Sequence, residues 1–181
     1  MAEGPGFVDA WLTARTELED IFDHLDRHEY VSFAEALAAA TERVFFSGQG
    51  RSGLVAQMAA MRFMHLGKRA HFVGEATAPA VRRRDTLVIV SGSGATPVSV
   101  EFGRVAKAEG ASVLLVTHQA QSPLRDLSDR HVTIPVTGTV QFGGTLFEQS
   151  ALVLLDSVVL HIMSTVEGPL ALMWRNHTNL Q

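Results

Sequence analysis

The chain has no cysteine among its 181 residues, so disulfides, thiolate metal ligands and thiol nucleophiles are excluded. It has little excess charge: the formal net charge is -4, and charged residues make up 19% of the total. That balance argues against nucleic acid as the main partner, because a phosphate backbone calls for a basic face. The one basic run, Arg82-Arg83-Arg84, is short and reads as a solvated loop ahead of an apolar run. No apolar stretch is as long as a membrane span of about 20 residues. The longest, 151–163, is interrupted by Asp156 and His161 and reads as a buried core helix. The opening Met1-Ala2-Glu3-Gly4-Pro5-Gly6 lacks the basic and apolar regions of a secretory signal. These absences lead to the expectation of a cytoplasmic protein with neither a membrane nor a nucleic-acid partner.

What is present is an apolar content of 46%, enough for one domain with a sizeable core. Apolar residues recur at helical spacing over 7–27: Val8, Trp11, Leu12, Leu18, Ile21, Phe22 and Leu25. A second helix is expected from Ser32, as N-cap, through the alanine-rich stretch 34–40. Both precede the first strand and are expected to pack outside the sheet, where another subunit could meet them. Strands are then expected near 44–46, 70–73, 87–90, 112–116 and 131–134. Helices alternate with them at 52–66, 97–109 and 123–127. A glycine-rich loop, 138–144, precedes a long helix over about 146–166, and Gly168-Pro169 reads as a break before a tail ending at Gln181. Short, continuously apolar strands alternating with helices predict an α/β fold, a parallel sheet covered on both faces in three layers, α, β and α.

Two glycine-serine turns follow apolar runs. The first is Ser47-Gly48-Gln49-Gly50-Arg51-Ser52-Gly53, and the second is Ser91-Gly92-Ser93-Gly94-Ala95-Thr96. If the sheet order is 2-1-3-4-5, as in flavodoxin-like folds, the switch point lies between the first and third strands. Both turns then meet at the carboxyl ends, where such folds bind ligands. Backbone amides and hydroxyls at helix N-termini suit a phosphate. Gly48, Gly50 and Gly94 allow close approach, and Ser52, Ser91, Ser93 and Thr96 supply short donors. Taken singly, Ser52 and Thr96 read as helix caps; four such residues at paired strand ends read as a binding site. Gly48-x-Gly50-x-x-Gly53 with Glu75 beyond the second strand also fits a dinucleotide fingerprint, but that reading leaves the second turn without a role.

Four further groups carry chemistry. Arg51, inside the first turn, has no packing reason to be there and suits an anion. Glu148 has two readings, of which spacing alone favours the helix cap. Thr145-Leu146-Phe147-Glu148 is a capping-box pattern, and a carboxylate near a phosphate site can also abstract a carbon-bound proton. His65, in the last turn of its helix, is explained by packing as well as by catalysis. His24 and His28 share a helix face, but with no third ligand they read as a solvated pair rather than a metal site.

These residues resemble those of the SIS (sugar isomerase) domain family, most closely its 6-phospho-3-hexuloisomerases. The resemblance rests on Gly48-Gln49-Gly50-Arg51-Ser52-Gly53-Leu54, Met61-Arg62-Phe63-Met64-His65-Leu66-Gly67, and Val73-Gly74-Glu75 with Thr77 and Pro79. It extends through the second turn, Gly144-Thr145-Leu146-Phe147-Glu148-Gln149-Ser150, and the tail Asn176-His177-Thr178-Asn179-Leu180-Gln181. The chain departs from the family where Ala95 and Asn176 replace the usual glutamate and arginine. The resemblance implies one SIS domain over 1–181, with N-terminal helices to residue 42 and the sheet domain from 43.

The resemblance further implies interconversion of D-arabino-hex-3-ulose 6-phosphate and fructose 6-phosphate through a cis-enediolate, in the ribulose monophosphate pathway of formaldehyde assimilation. It implies no cofactor and no metal. Glu148 would be the base, Arg51 would stabilise negative charge, and His65 would shuttle hydroxyl protons or help open the sugar ring. The glycines and hydroxyls of the two turns would hold the phosphate, with His177 as a tail contact. Implied partners are a phosphorylated hexulose, further copies of the chain in a homotetramer, and hexulose-6-phosphate synthase. Two rivals stand beside this: an aldose-ketose isomerase of the arabinose 5-phosphate type, and a non-catalytic sugar-phosphate sensor.

Overall fold

The computed structural model describes residues 7–180; residues 1–6, Gln181 and the side chains of Phe7 and Val8 lie outside the described residues. Helices α1 (Phe7–Asp23) and α2 (Arg27–Ala38) lead into an alternating series. It runs β1 (Val44–Gly48), α3 (Arg51–His65), β2 (Ala70–Phe72), β3 (Thr86–Val90), α4 (Pro97–Ala108) and β4 (Ser112–Thr117). Then come α5 (Pro123–Leu127), β5 (Arg130–Thr133), α6 (Thr145–Met163) and α7 (Pro169–Asn176). The five strands form one parallel sheet in the order β2-β1-β3-β4-β5, as expected.

Every residue of β1 and β3 is buried, which explains their unbroken apolar runs. Alternate side chains serve the two faces. Phe46, Val88, Val90 and Leu114 join one core with α2, α3 and α6, while Phe45, Leu87, Ile89 and Leu115 join a second with α4 and α5. Helix α6 is long and apolar enough to cross a membrane, but Leu146, Phe147, Leu154, Leu155 and Val158 are buried in the first core. It is the core helix the sequence suggests.

Two expectations are corrected. Helix α2 begins five residues earlier than Ser32, because Asp26 caps it, accepting from the amides of His28 at 2.7 Å and Glu29 at 3.0 Å. The N-terminal helices pack outside the sheet and over its core: Phe33 and Leu37 of α2 are fully buried in it, and Ile21 anchors α1. Gly168-Pro169 does not end regular structure. Gly168 takes a left-handed conformation (φ 60°) and Pro169 opens α7, where its missing N–H is no loss.

The strands are pinned at their amino ends by Asp85, only 2% exposed. It accepts from Arg43 Nε at 3.1 Å, Arg43 Nη2 at 2.8 Å and the amides of Arg43 at 3.2 Å and Arg82 at 2.7 Å. Removing the acceptor leaves a half-buried guanidinium and two amides unpaired. Asp85→Ala should therefore lower stability by about 2–3 kcal/mol, read as a lower urea midpoint at unchanged m.

Candidate active site

The parallel register sets Gly48 beside Val90, so the turns that follow β1 and β3 lie side by side at the switch point. The first turn is close-packed on itself. A Cβ on Gly48 would lie 2.4 Å from the Ser52 carbonyl oxygen, and one on Gly53 would lie 2.8 Å from that of Gly48. Gly50, the N-cap of α3, has φ 57°, and no atom lies within 4 Å of where its Cβ would be. The backbone there is bare and open to a ligand. In the second turn Gly94 (φ 61°) comes so close to Ser122 that a Cβ would meet its Oγ at 2.1 Å. Gly94→Ala should displace this turn and raise KM for a phosphorylated substrate several-fold with kcat less affected, checked by steady-state kinetics.

The hydroxyls are not spent on capping. Neither α3 nor α4 has a side-chain cap bond, although Thr96 is the N-cap residue of α4 and Ser52 lies in the first turn of α3. Ser93 accepts from the Ala95 amide at 3.3 Å and is exposed. Ser91 is buried, and its Oγ has no partner among the described residues. An orphaned hydroxyl under such a turn costs about 1–3 kcal/mol unless something binds it.

The structure overturns the capping role that spacing alone favours for Glu148. The N-cap of α6 is Gly144, with no side-chain cap bond, so Thr145 and Glu148 do not form a capping box. The Glu148 carboxylate, 14% exposed, instead takes a hydrogen bond from Arg51 Nε, which comes from the first residue of α3. A carboxylate and a cation thus stand together above the first turn. Gly144 lies close to it: a Cβ there would be 3.4 Å from Glu148 Oε1.

His65 is not part of this group within the chain. It is the last residue of α3 and Arg51 the first, which separates them by about 20 Å along the helix at 1.5 Å per residue. His65 is 3% exposed, and its ring stacks on His177 with centroids 5.1 Å apart. Asn176 Nδ2 donates to the His65 carbonyl at 3.0 Å, so the residue that stands in place of the usual arginine fastens α7 to α3. Burial, then the charges of His177 and Arg62, hold the His65 imidazole below the ordinary histidine range. The unfolded chain therefore takes up a proton near pH 6.5 that the folded protein refuses until lower pH. Stability should fall as pH drops from 7 to 5, and His65→Gln should flatten part of that slope in pH-dependent urea unfolding.

Sequence reasoning missed residues that share the rim. Ser47, at the end of β1, is buried with an unpartnered Oγ. Thr117, ending β4, donates to the Gly92 carbonyl at 2.9 Å and braces the second turn. His118 follows it, edge-on to Phe147 and within 3.1 Å of where a Gly92 Cβ would be. The signal for all three was their place at the carboxyl ends of strands. His24 is hydrogen-bonded to the Asp20 carbonyl, and among the described residues no cluster of three metal-ligating side chains forms.

The arrangement thus offers an anion cradle beside a paired carboxylate and guanidinium, which suits proton abstraction from a carbon held by a remote phosphate. Known proteins agree in kind. The chain is 35% identical over 175 residues to a 3-hexulose-6-phosphate isomerase of Mycobacterium gastri, covering 92% of this chain and 87% of the relative. A Bacillus subtilis protein of the same name is 31% identical over 174 residues, covering 91% and 94%. A solved structure from Methanococcus jannaschii, described as inferring a function of 3-hexulose-6-phosphate isomerase, superposes with TM-score 0.84 at 26% identity, covering 95% and 99%. The SIS domain model matches residues 37–161, the span that holds both turns, Arg51 and Glu148, and by that match and those relatives the chain belongs to the SIS domain family.

Proposed function

We propose that this chain is an isomerase that interconverts D-arabino-hex-3-ulose 6-phosphate and fructose 6-phosphate. The observation that carries the reading is the Arg51–Glu148 pair set over two glycine-serine turns at the sheet's switch point. The relatives named for this reaction support it. In the proposed mechanism Ser52, Ser91, Ser93 and Thr96, with the amides around Gly50 and Gly94, hold the 6-phosphate. Glu148 takes the proton from C2 of the 3-ulose, the electrons move to the C3 oxygen, and a cis-enediolate forms. Arg51 stabilises the negative charge, the O2 hydroxyl proton passes to O3, and the carbon-bound proton returns at C3 to give the 2-ketose.

His65 then serves a neighbouring copy. Leu54, Met58, Met61 and Met64 expose an apolar stripe along α3, at 58%, 45%, 46% and 38%. Two α3 helices packed antiparallel about a two-fold axis would cover both stripes and set each His65 end beside the other's Arg51 end. Such a pair would be one of the contacts of the homotetramer that the resemblance implies. The same reading takes 1–181 as one domain in the cytoplasm, with hexulose-6-phosphate synthase as its functional partner.

Incubation with fructose 6-phosphate in D₂O tests the reaction by NMR. Deuterium at C3 with appearance of the 3-ulose is the expected result. Deuterium at C1 would point to an aldose-ketose isomerase, and binding without exchange to a sensor.

A further inference from the structure

The loop over 138–144 runs from β5 to the start of α6 and so to Glu148, and it is held from an unexpected quarter. Glu17, half-buried on α1, accepts three hydrogen bonds from it: Thr139 Oγ1 at 2.8 Å, the Val140 amide at 2.9 Å and Gln141 Nε2 at 2.8 Å. The Gln141 amide in turn donates to Thr139 Oγ1 at 2.9 Å. One residue on, the Phe142 carbonyl accepts from Thr145 Oγ1 at 2.7 Å and from the Thr145 amide at 3.3 Å. Thr145 is the first residue of α6, a helix with no side-chain cap of its own. Two sets of hydrogen bonds, joined through the Gln141–Phe142 backbone, thus link α1 to the turn of helix that carries Glu148.

We propose that Glu17 is a positioning residue for the isomerisation: it clamps the 138–144 loop and thereby sets the start of α6 and the placement of Glu148. This rests on the function proposed above. The fold alone does not call for the clamp. Helix α1 is already anchored by Ile21, with Leu18, Phe22 and Leu25 packed on the core. The loop, by contrast, has little else to hold it. Val140 and Phe142 are 80% and 94% exposed, and Gly138, Gly143 and Gly144 leave its backbone loose. Burial pushes the Glu17 carboxyl up, yet the bonds from Gln141, Val140 and Thr139 together hold it below the ordinary glutamate range, so it stays a carboxylate at neutral pH. A carboxylate can accept from all three donors, whereas a glutamine must turn its NH₂ toward at least one of them.

Glu17→Gln is the test, with urea unfolding to confirm a folded protein. The expected result is a drop in kcat of about tenfold with KM for fructose 6-phosphate within about twofold, since the phosphate turns are untouched and only the base is misplaced. Amide hydrogen exchange should quicken at 140–148, a readout that needs no turnover. Thr139→Val should shift kcat the same way, Thr139→Ser should restore it, and Glu17→Gln with Thr139→Val should lose less than the two separately. A Glu17→Gln protein with wild-type kcat and unchanged exchange would overturn the clamp while leaving the isomerase reading intact. A wild-type protein that does not turn over the sugar phosphate would overturn the underlying reading, and the positioning role of Glu17 with it.

Discussion

Glu148→Gln is expected to lower turnover of fructose 6-phosphate by about 10³-fold, at the middle of the range for loss of a positioned general base. The substitution keeps shape and volume. Its amide oxygen can still accept from Arg51 Nε, and the start of α6 stays anchored by Leu146 and Phe147, 2% and 3% exposed. The fold and the phosphate turns should therefore survive, with KM changed less than threefold and a urea midpoint near that of the parent. What goes is the lone pair basic enough to take a proton from carbon. Deuterium should no longer enter C3 in D₂O, because exchange and isomerisation share the enediolate. If the folded variant still exchanged C3 at the parent rate, Glu148 would not be the base, and His118, on the same rim, would be next for substitution. Arg51→Gln should weaken turnover less, by about 10²-fold, because the cation stabilises the charge without taking the proton.

Much of this site could be read before the structure, for a specific physical reason. Parallel strands buried on both faces print themselves as unbroken apolar runs, so 86–90 and 112–117 were legible almost to the residue. Once the order 2-1-3-4-5 is assumed, topology brings the two glycine-serine turns together without further information. What escaped was set by contacts far apart in sequence or by ambiguous local signals. The Gly168-Pro169 pair serves equally to end a chain segment and to begin a helix, and only the packing of α7 on α3 decides it. Thr145 to Glu148 has the letters of a capping box, but Arg51, 97 residues away in sequence, takes the carboxylate first. The Glu17 clamp spans more than 120 residues and leaves no local pattern at all. The separation of His65 from Arg51 was legible in principle. A helix from Ser52 to Leu66 must hold its two ends about 20 Å apart, yet the resemblance assigned roles residue by residue and said nothing of which copy supplies each.

That separation leads to the second large effect, a rescue. His65→Gln should be nearly inactive, at about 1% of the parent or below, if its imidazole moves hydroxyl protons in the neighbour's site. Glu148→Gln is inactive for the reason above. Co-expressed with different tags, the two variants should form mixed pairs. In a mixed pair one site combines the intact Glu148 of the first variant with the intact His65 of the second; the other site lacks both. Random pairing makes about half of all pairs mixed, with one working site of two, so activity should return to about one quarter of the parent level. The increase over either variant alone is at least about twenty-fold, far beyond any averaging of two weak enzymes. The buried position of His65 makes the comparison necessary. His65→Gln on its own could lose activity by disturbing the stack on His177, whereas a merely structural defect in one subunit gains nothing from a partner that lacks its base. No recovery in the co-expressed mixture would place the whole reaction within one chain, leaving His65 as a packing residue at the foot of α3. Recovery to a quarter would make the antiparallel α3 stripe of Leu54, Met58, Met61 and Met64 the surface that completes the site.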